Sequence, residues 1–273
     1  MWRKGIRWPG GSKVKHKEPT YWLTFLEEIA DRADEIALRF FRTEDLHVEE
    51  KADLSPVTRA DRAIEEMAQG LLRRSHPEAG ICGEEYGEVV GSEDVRLIID
   101  PIDGTRNFVR GIPIFATLLA VEAAGEVIAG LVTAPALNAR WKAARGHGAY
   151  CGKRRLRVSQ IHDLQKAQLF HGTLGGSGES PPPAGIFNLI RQVQRTRGFG
   201  DFYQHVLVAE GAGEIAIDPA VQPWDIAPLQ VIVEEAGGQA TTLAGQRSIY
   251  GGSLISSNGL VHEKALSILV APR

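Results

Sequence analysis

The apolar run Val95-Arg96-Leu97-Ile98-Ile99 does not fade into a polar loop; it stops on Asp100-Pro101-Ile102-Asp103-Gly104-Thr105. A buried strand that ends on two carboxylates three positions apart is a strong constraint, because such charges must reach water or share a counter-charge. Asp, Pro and Gly also make ordinary turns. The stretch is therefore either a plain turn or a turn that holds a metal ion and a phosphate, and the remaining residues decide between them.

A chain of 273 residues is long enough for one large domain or for two lobes with a shared core. Its 43% apolar and 24% charged content is that of a globular protein. No apolar run approaches the roughly 20 residues of a spanning helix, so no membrane partner is expected. The formal net charge of -3 gives no general pull toward nucleic acid. Charge is uneven, however: Arg3, Lys4, Arg7, Lys13, Lys15 and Lys17 precede the first acidic residue. No apolar stretch follows to make a secretory signal and no folded basic stripe continues the cluster. Residues 1–18 are thus expected to be a disordered basic tail rather than a nucleic-acid arm. Cys82 and Cys151, the two cysteines, lie outside any CxxC spacing. No disulfide framework is expected, and a cytoplasmic address follows as the default.

Two helices open the fold. After Pro19, apolar residues at Trp22, Leu26, Ile29, Ala30, Ala33, Ile36, Ala37 and Phe40 follow helical spacing. Ile64, Met67, Ala68, Leu71 and Leu72 repeat it after a start marked by Pro56 and Thr58. Strand-like runs follow over 95–100, over 114–135 with a break at Gly125, and over 139–158 with turns at Gly146, Gly148 and Gly152. Residues 19–155 therefore read as an N-terminal lobe of helices and mostly antiparallel sheet that carries the metal site. Over 156–273 strands alternate with helices, including helices near 186–196, 202–211 and 224–236. That alternation predicts a C-terminal α/β lobe with a second, more parallel sheet, contributing Asp225 and the substrate pocket. The Gly- and Pro-rich segment 172–185 reads as a flexible loop, since each side needs the other's core.

Four acidic positions stand where the backbone changes course: Glu84 in Gly83-Glu84-Glu85, Asp100 and Asp103, and Asp225 in Pro223-Trp224-Asp225. Carboxylates at strand ends and helix starts can converge on a cleft, where they repel unless a cation lies among them. Oxygen donors with no His or Cys at ligand spacing point to Mg²⁺ or Mn²⁺ rather than Zn²⁺. Gly104 and Thr105 read as a turn entering a helix, whose first N–H groups can receive an anion. Pro101 ends the ladder, Ile102 can present its carbonyl, and Gly104 has no side chain to block a phosphate. Any one of these positions alone is more often a turn or a cap; four together favour a site.

Gly83-Glu84-Glu85, the stretch IIDPIDGTRNFVRGIP at 98–113 and the stretch WDIAPLQVIVEEAGG at 224–238 resemble, in order, the three signature segments of the inositol monophosphatase family. These are Mg²⁺-dependent, Li⁺-sensitive phosphatases, and the likeness runs from about residue 20 to about residue 270. The resemblance implies an α/β layered fold, the α-β-α-β-α sandwich of inositol monophosphatases and sugar phosphatases, and a homodimer. It implies that Glu84, Asp100 and the Ile102 carbonyl hold one metal, and that Asp100, Asp103 and Asp225 hold a second. Two or three Mg²⁺ per active site are expected by the same likeness, with Mn²⁺ as a substitute. It further implies that the backbone of Gly104 and Thr105 binds phosphate, and that Glu84 and the Thr105 hydroxyl position the attacking water. Asp61 would hydrogen-bond Thr105, and Lys51 would lie on a loop near the site. Such a device suits phosphate monoesters, because cations that bridge the ester oxygens offset their charge and stabilise the leaving alkoxide.

Fold and metal set do not choose the ester. Where inositol-type members carry small residues after a glycine, this chain reads Gly200-Asp201-Phe202-Tyr203. An acid followed by aromatics suits a cation and a flat ring better than a neutral polyol. The pattern is similar to the histidinol-phosphate phosphatase branch of the family. That likeness implies hydrolysis of L-histidinol phosphate, a small-molecule phosphate ester, in histidine biosynthesis. Asp201 and Asp218 would contact the ammonium and imidazole, and Asp103 and Asp225 would face the substrate as well as the metal. Against this stand plainer readings: Asp201 as a helix N-cap, Asp218 as a turn residue before Pro219, and Tyr203 and His205 as residues that a helix face buries anyway. The competing functions are an inositol-1-phosphate or broad sugar-phosphate monophosphatase and an inactive binding protein, the last disfavoured because all four carboxylates are present.

Overall fold

Helix α1 (Pro19–Phe40) starts on a proline, whose fixed φ suits a first turn. Between it and α2 (Arg59–Ser75) lies an antiparallel ribbon of β1 (Val48–Glu50) and β2 (Pro56–Thr58). Thr58 caps α2: its hydroxyl accepts from the Ala60 N–H at 3.2 Å, and Asp61 completes a capping box. The structure, a computed structural model, describes residues 17–43, 46, 48–50, 56–175 and 181–269. Lys51, nearly all of the basic tail and part of the 172–185 loop lie outside the described residues.

The large sheet consists of β3 (Gly80–Gly83), β4 (Gly87–Val89), β5 (Val95–Asp103), β6 (Ala116–Ala123), β7 (Glu126–Ala134), β8 (Ala139–Ala144), β9 (Gly148–Cys151) and β10 (Arg154–Arg155). Their spatial order is β10-β9-β8-β7-β6-β5-β3-β4. Every neighbouring pair is antiparallel except β3 with β5. The break at Gly125 is a tight hairpin in which Ala124 (φ 51) and Gly125 (φ 77) are both left-handed, the twist that joins adjacent strands. A short helix, α3 (Thr105–Val109), leaves the end of β5.

The small sheet holds β11 (Gln168–His171), β12 (Arg195–Gly198), β13 (Ile215–Asp218), β14 (Gln239–Thr241) and β15 (Leu254–Ser257), in the order β12-β11-β13-β15-β14. β11 runs parallel to β12 and β13, whereas the pairings of β15 with β13 and β14 are antiparallel. The sheet is therefore mixed. Four helices accompany it: α4 (Ile186–Ile190), α5 (Asp201–Ala209), α6 (Pro223–Glu235) and α7 (His262–Leu269). The helix expected near 186–196 ends at Ile190, and Arg195–Gly198 forms an edge strand instead.

Buried side chains sort these elements into layers. Leu26 and Ile29 of α1 and Ile64 and Ala68 of α2 pack on Leu97, Ile99 and Leu119 of the large sheet. On the opposite face Ile98 and Leu118 meet Phe202 and Val206 of α5 and Ile226 and Ile232 of α6, which share their cluster with Ala240 and Leu254 of the small sheet. The far side of the small sheet, with Leu169, Ile215 and Ile255, is covered by Leu189 of α4 and Leu266 of α7. The result is the α-β-α-β-α sandwich. Helix α6 is buried from Ile226 through Val233 because it lies between two sheets. Its approach needs Gly130 on β7, where a Cβ would come within 2.4 Å of Val231 Cγ1.

Candidate active site

In a regular strand, residues three apart point to opposite faces. Asp100 pairs with Leu118 and Asp103 with Ala116, so three steps along β5 match two along β6. The extra residue is a β-bulge, and it returns Asp103 to the face that Asp100 uses. Pro101 lies within the bulge, where its carbonyl accepts a hydrogen bond from the Thr117 hydroxyl at 2.8 Å. Both aspartates consequently face the middle helix layer, where Asp225 sits in the first turn of α6.

Asp100, Asp103 and Asp225 each bring a carboxylate oxygen within 4.8 Å of the others. Asp225 keeps one oxygen on its own helix start, accepting the Gln222 N–H at 2.7 Å. Asp103 Oδ2 accepts the Phe202 N–H at 2.6 Å and so ties β5 to the start of α5. Asp100 is 3% exposed, and its Oδ1 is buried without a hydrogen-bond partner. Burial, and then the neighbouring charges of Glu84, Asp103 and Asp225, hold the Asp100 carboxyl well above the usual range. Asp103 is raised likewise by burial and then by Asp201 and Asp225, and Asp225 is pushed up to about 7, chiefly by burial.

Glu84 follows β3, whose parallel pairing sets Gly83 beside Ile99 and so brings Glu84 next to Asp100. Its turn is held by Glu65 of α2, which sequence reasoning missed. Fully buried Glu65 accepts the N–H groups of Glu85 at 2.8 Å and Tyr86 at 3.1 Å. Gly83 makes room for it, since a Cβ there would overlap the Glu65 carboxylate.

At the phosphate end, Gly104 is left-handed (φ 80), and a Cβ on it would lie 3.0 Å from the Ile114 carbonyl oxygen. Thr105 opens α3, and its hydroxyl donates to the Ile102 carbonyl at 2.9 Å. That carbonyl retains a second lone pair for a metal. The expected hydrogen bond from Asp61 to Thr105 is not made. Asp61 turns back on its own helix cap, where Oδ2 accepts the Thr58 N–H at 2.8 Å and the Thr58 hydroxyl at 2.5 Å. Its Oδ1 is buried without a partner, and burial pushes the carboxyl up to about 7.

A cleft of about 890 Å³ joins these groups to the start of α5 and the end of β13. Asp201 is not an N-cap: Gly200 takes that position, and Asp201 begins α5 with φ 51, a left-handed conformation uncommon for an aspartate. Asn107 of α3 donates to Asp201 Oδ2 at 3.0 Å. Asp218 also lines the cleft, and it is held by Gln204 and His205. Local sequence carries no signal for these supports, because each partner comes from a distant element.

The donor set fits a hard divalent cation: oxygens only, converging from β5 and α6, with a buried Asp100 oxygen that no protein group satisfies. Residues 18–271 match the inositol monophosphatase family. A histidinol-phosphatase of Mycobacterium tuberculosis is 44% identical over 248 residues, covering 89% of this chain and 95% of that protein. A histidinol-phosphatase of Streptomyces coelicolor is 42% identical over 250 residues, covering 88% and 94%. Among solved structures, the Thermotoga maritima IMPase has a TM-score of 0.81 at 31% identity, covering 91% of this chain and 96% of that one. The chain belongs to the inositol monophosphatase family.

Proposed function

We propose that this protein is a Mg²⁺-dependent phosphoric monoester hydrolase that converts L-histidinol phosphate and water to L-histidinol and phosphate. The observation that carries the choice of ester is the part of the cleft beside the metal cluster, lined by Asp201 and Asp218 together with Phe199 and Trp224. An ammonium or imidazole gives a carboxylate a charge-assisted bond, roughly twice as strong as the neutral bond a polyol hydroxyl gives. The likeness to the two histidinol-phosphatases above supports the same reading.

Asp100, Asp103, Asp225, Glu84 and the Ile102 carbonyl would hold two or three ions, with Mn²⁺ able to substitute. Bound Mg²⁺ supplies positive charge that offsets the phosphate and the developing alkoxide. Gly104 and Thr105 offer backbone N–H groups to the phosphate, and Gly104 keeps that approach open. The Thr105 hydroxyl, already donating to Ile102, retains lone pairs that can accept a hydrogen bond from the attacking water, and with Glu84 it would position that water. Asp61 acts at a distance by fixing the start of α2. The same reading includes a homodimer, a cytoplasmic location and a pocket supplied by residues 156–273. Among the described residues no helix is long and apolar enough to cross a membrane.

A kinetic panel in Mg²⁺ tests the proposal. L-histidinol phosphate should exceed inositol 1-phosphate in kcat/KM by about tenfold or more, the effect of one good charged contact. The reverse order would move the substrate to inositol 1-phosphate, a reading that the likeness to the Thermotoga IMPase supports. Absence of Mg²⁺-stimulated hydrolysis of any ester would leave a binding protein.

A further inference from the structure

Asp218 ends β13 in the cleft, yet one of its oxygens is already engaged. Oδ2 accepts from Gln204 Nε2 at 2.7 Å and from His205 Nε2 at 2.9 Å. The His205 ring is gripped from its other side by Ser256, whose hydroxyl lies 2.8 Å from Nδ1. Gln204 Nε2 also donates to the Ile217 carbonyl at 3.2 Å. Gln204, His205 and Ser256 are each 0% exposed, so this support is built into the core between α5 and the small sheet. Oδ1 lies toward Gly172, where a Cβ would come within 3.1 Å of it, and glycine keeps that side of the carboxylate clear.

The chemistry of the ring matters. A carboxylate oxygen only accepts, so Nε2 carries a proton and donates it to Asp218, while Nδ1 meets the Ser256 hydroxyl. Gln204 and His205 thus both donate to Oδ2 and leave Oδ1 on the side that Gly172 keeps clear.

We infer that His205, backed by Gln204 and Ser256, is a positioning residue that fixes Asp218 so that Oδ1 accepts a charge-assisted hydrogen bond from the cationic part of the substrate. The inference deepens the proposed function and rests on its reading of the substrate as a phosphate ester that carries a cation. His205 acts through Asp218 and sets specificity.

The test compares wild type, His205→Leu and His205→Gln in Mg²⁺ on L-histidinol phosphate and on p-nitrophenyl phosphate, which carries no cation. His205→Leu should act mainly on KM for histidinol phosphate, lowering the kcat/KM preference over p-nitrophenyl phosphate by about tenfold. His205→Gln can return an amide N–H to Asp218 and should restore most of that preference. Ser256→Ala, a smaller change that also serves if His205→Leu fails to fold, should lower the preference by about threefold. Equal losses on both esters, or a glutamine variant no better than the leucine one, would make His205 merely structural and overturn the inference. The wild-type arm separates the two ideas. If wild type favours the cation-free ester, the substrate reading fails; if it favours histidinol phosphate and the variants keep that preference, only the positioning role fails.

Discussion

Two sets of carboxylates in the cleft are held in opposite ways. In the metal cluster, Asp100, Asp103 and Asp225 crowd together, and burial with repulsion from neighbouring charges raises all three. Beside them, Asp201 and Asp218 accept from amide and imidazole donors of Asn107, Gln204 and His205. The first arrangement is unfavourable until a cation enters; the second is already hydrogen-bonded by the protein. The difference teaches that an acidic residue in a cleft becomes a metal ligand or a substrate contact according to what its neighbours already supply.

The largest expected effect breaks this contrast with one matched pair of variants. Asp100→Asn should lower kcat/KM on every phosphate ester by on the order of 10³-fold, since cation charge stabilisation is worth several kcal/mol. It should also raise the Tm of the metal-free protein, because a buried repelling charge is gone. Asp201→Asn should lower activity by about tenfold on histidinol phosphate alone, with a smaller gain in Tm, since it removes only a neighbouring charge that acts on Asp103. Steady-state kinetics on esters with and without a cationic group, with thermal melts in EDTA, reads both. Equal behaviour of the two variants would erase the distinction between the two sets.

Next in size is the support for Glu84. Glu65→Gln keeps the volume but leaves only the amide oxygen able to accept, where two carboxylate oxygens now receive the N–H groups of Glu85 and Tyr86. Mg²⁺ affinity, measured by calorimetric titration, should fall by about tenfold, the lower range for losing a group that orients a metal ligand. Unchanged affinity would show that Glu84 finds its place without Glu65.

Much of this was legible in the chain, and what was hidden has a physical reason. Helical periodicity places Leu26, Ile29, Ile64 and Ala68 on buried faces, and the left-handed turn at Ala124-Gly125 falls where a hairpin break reads from the sequence. Asp100 and Asp103 stand out as a pair, but only the bulge, set by pairing with β6, puts both on one face. Edge strand β12 was missed because Arg-Thr-Arg-Gly is largely exposed; it is a strand by virtue of its backbone bonds to β11, not of its side chains. Asp61 is expected beside Thr105 by likeness alone, and in the fold the cap 3 residues away takes its carboxylate. Glu65, Asn107 and Ser256 act through partners 20, 94 and 51 positions away, respectively, at distances that local pattern cannot report.

The smallest effect concerns stability and pH, and it asks whether the metal cluster is really frustrated. A carboxyl whose folded pKa lies above its unfolded value binds protons more tightly when folded, so its contribution is full below the unfolded pKa and is lost as pH rises through the folded one. Asp100, Asp103 and Asp225 are all raised from 3.8, Asp225 to about 7, and Asp61 behaves alike. The metal-free protein should therefore lose stability between about pH 4 and pH 8. Its Tm should accordingly fall from about pH 5 to about pH 8. Saturating Mg²⁺ should remove most of that fall, because the cation favours the charged carboxylates. What remains should belong to Asp61, which lies outside the cluster, and should vanish in Asp61→Asn. Melts at four pH values, with and without Mg²⁺, decide it: a metal-free Tm that rises with pH would mean that the cluster is not held against its own charge.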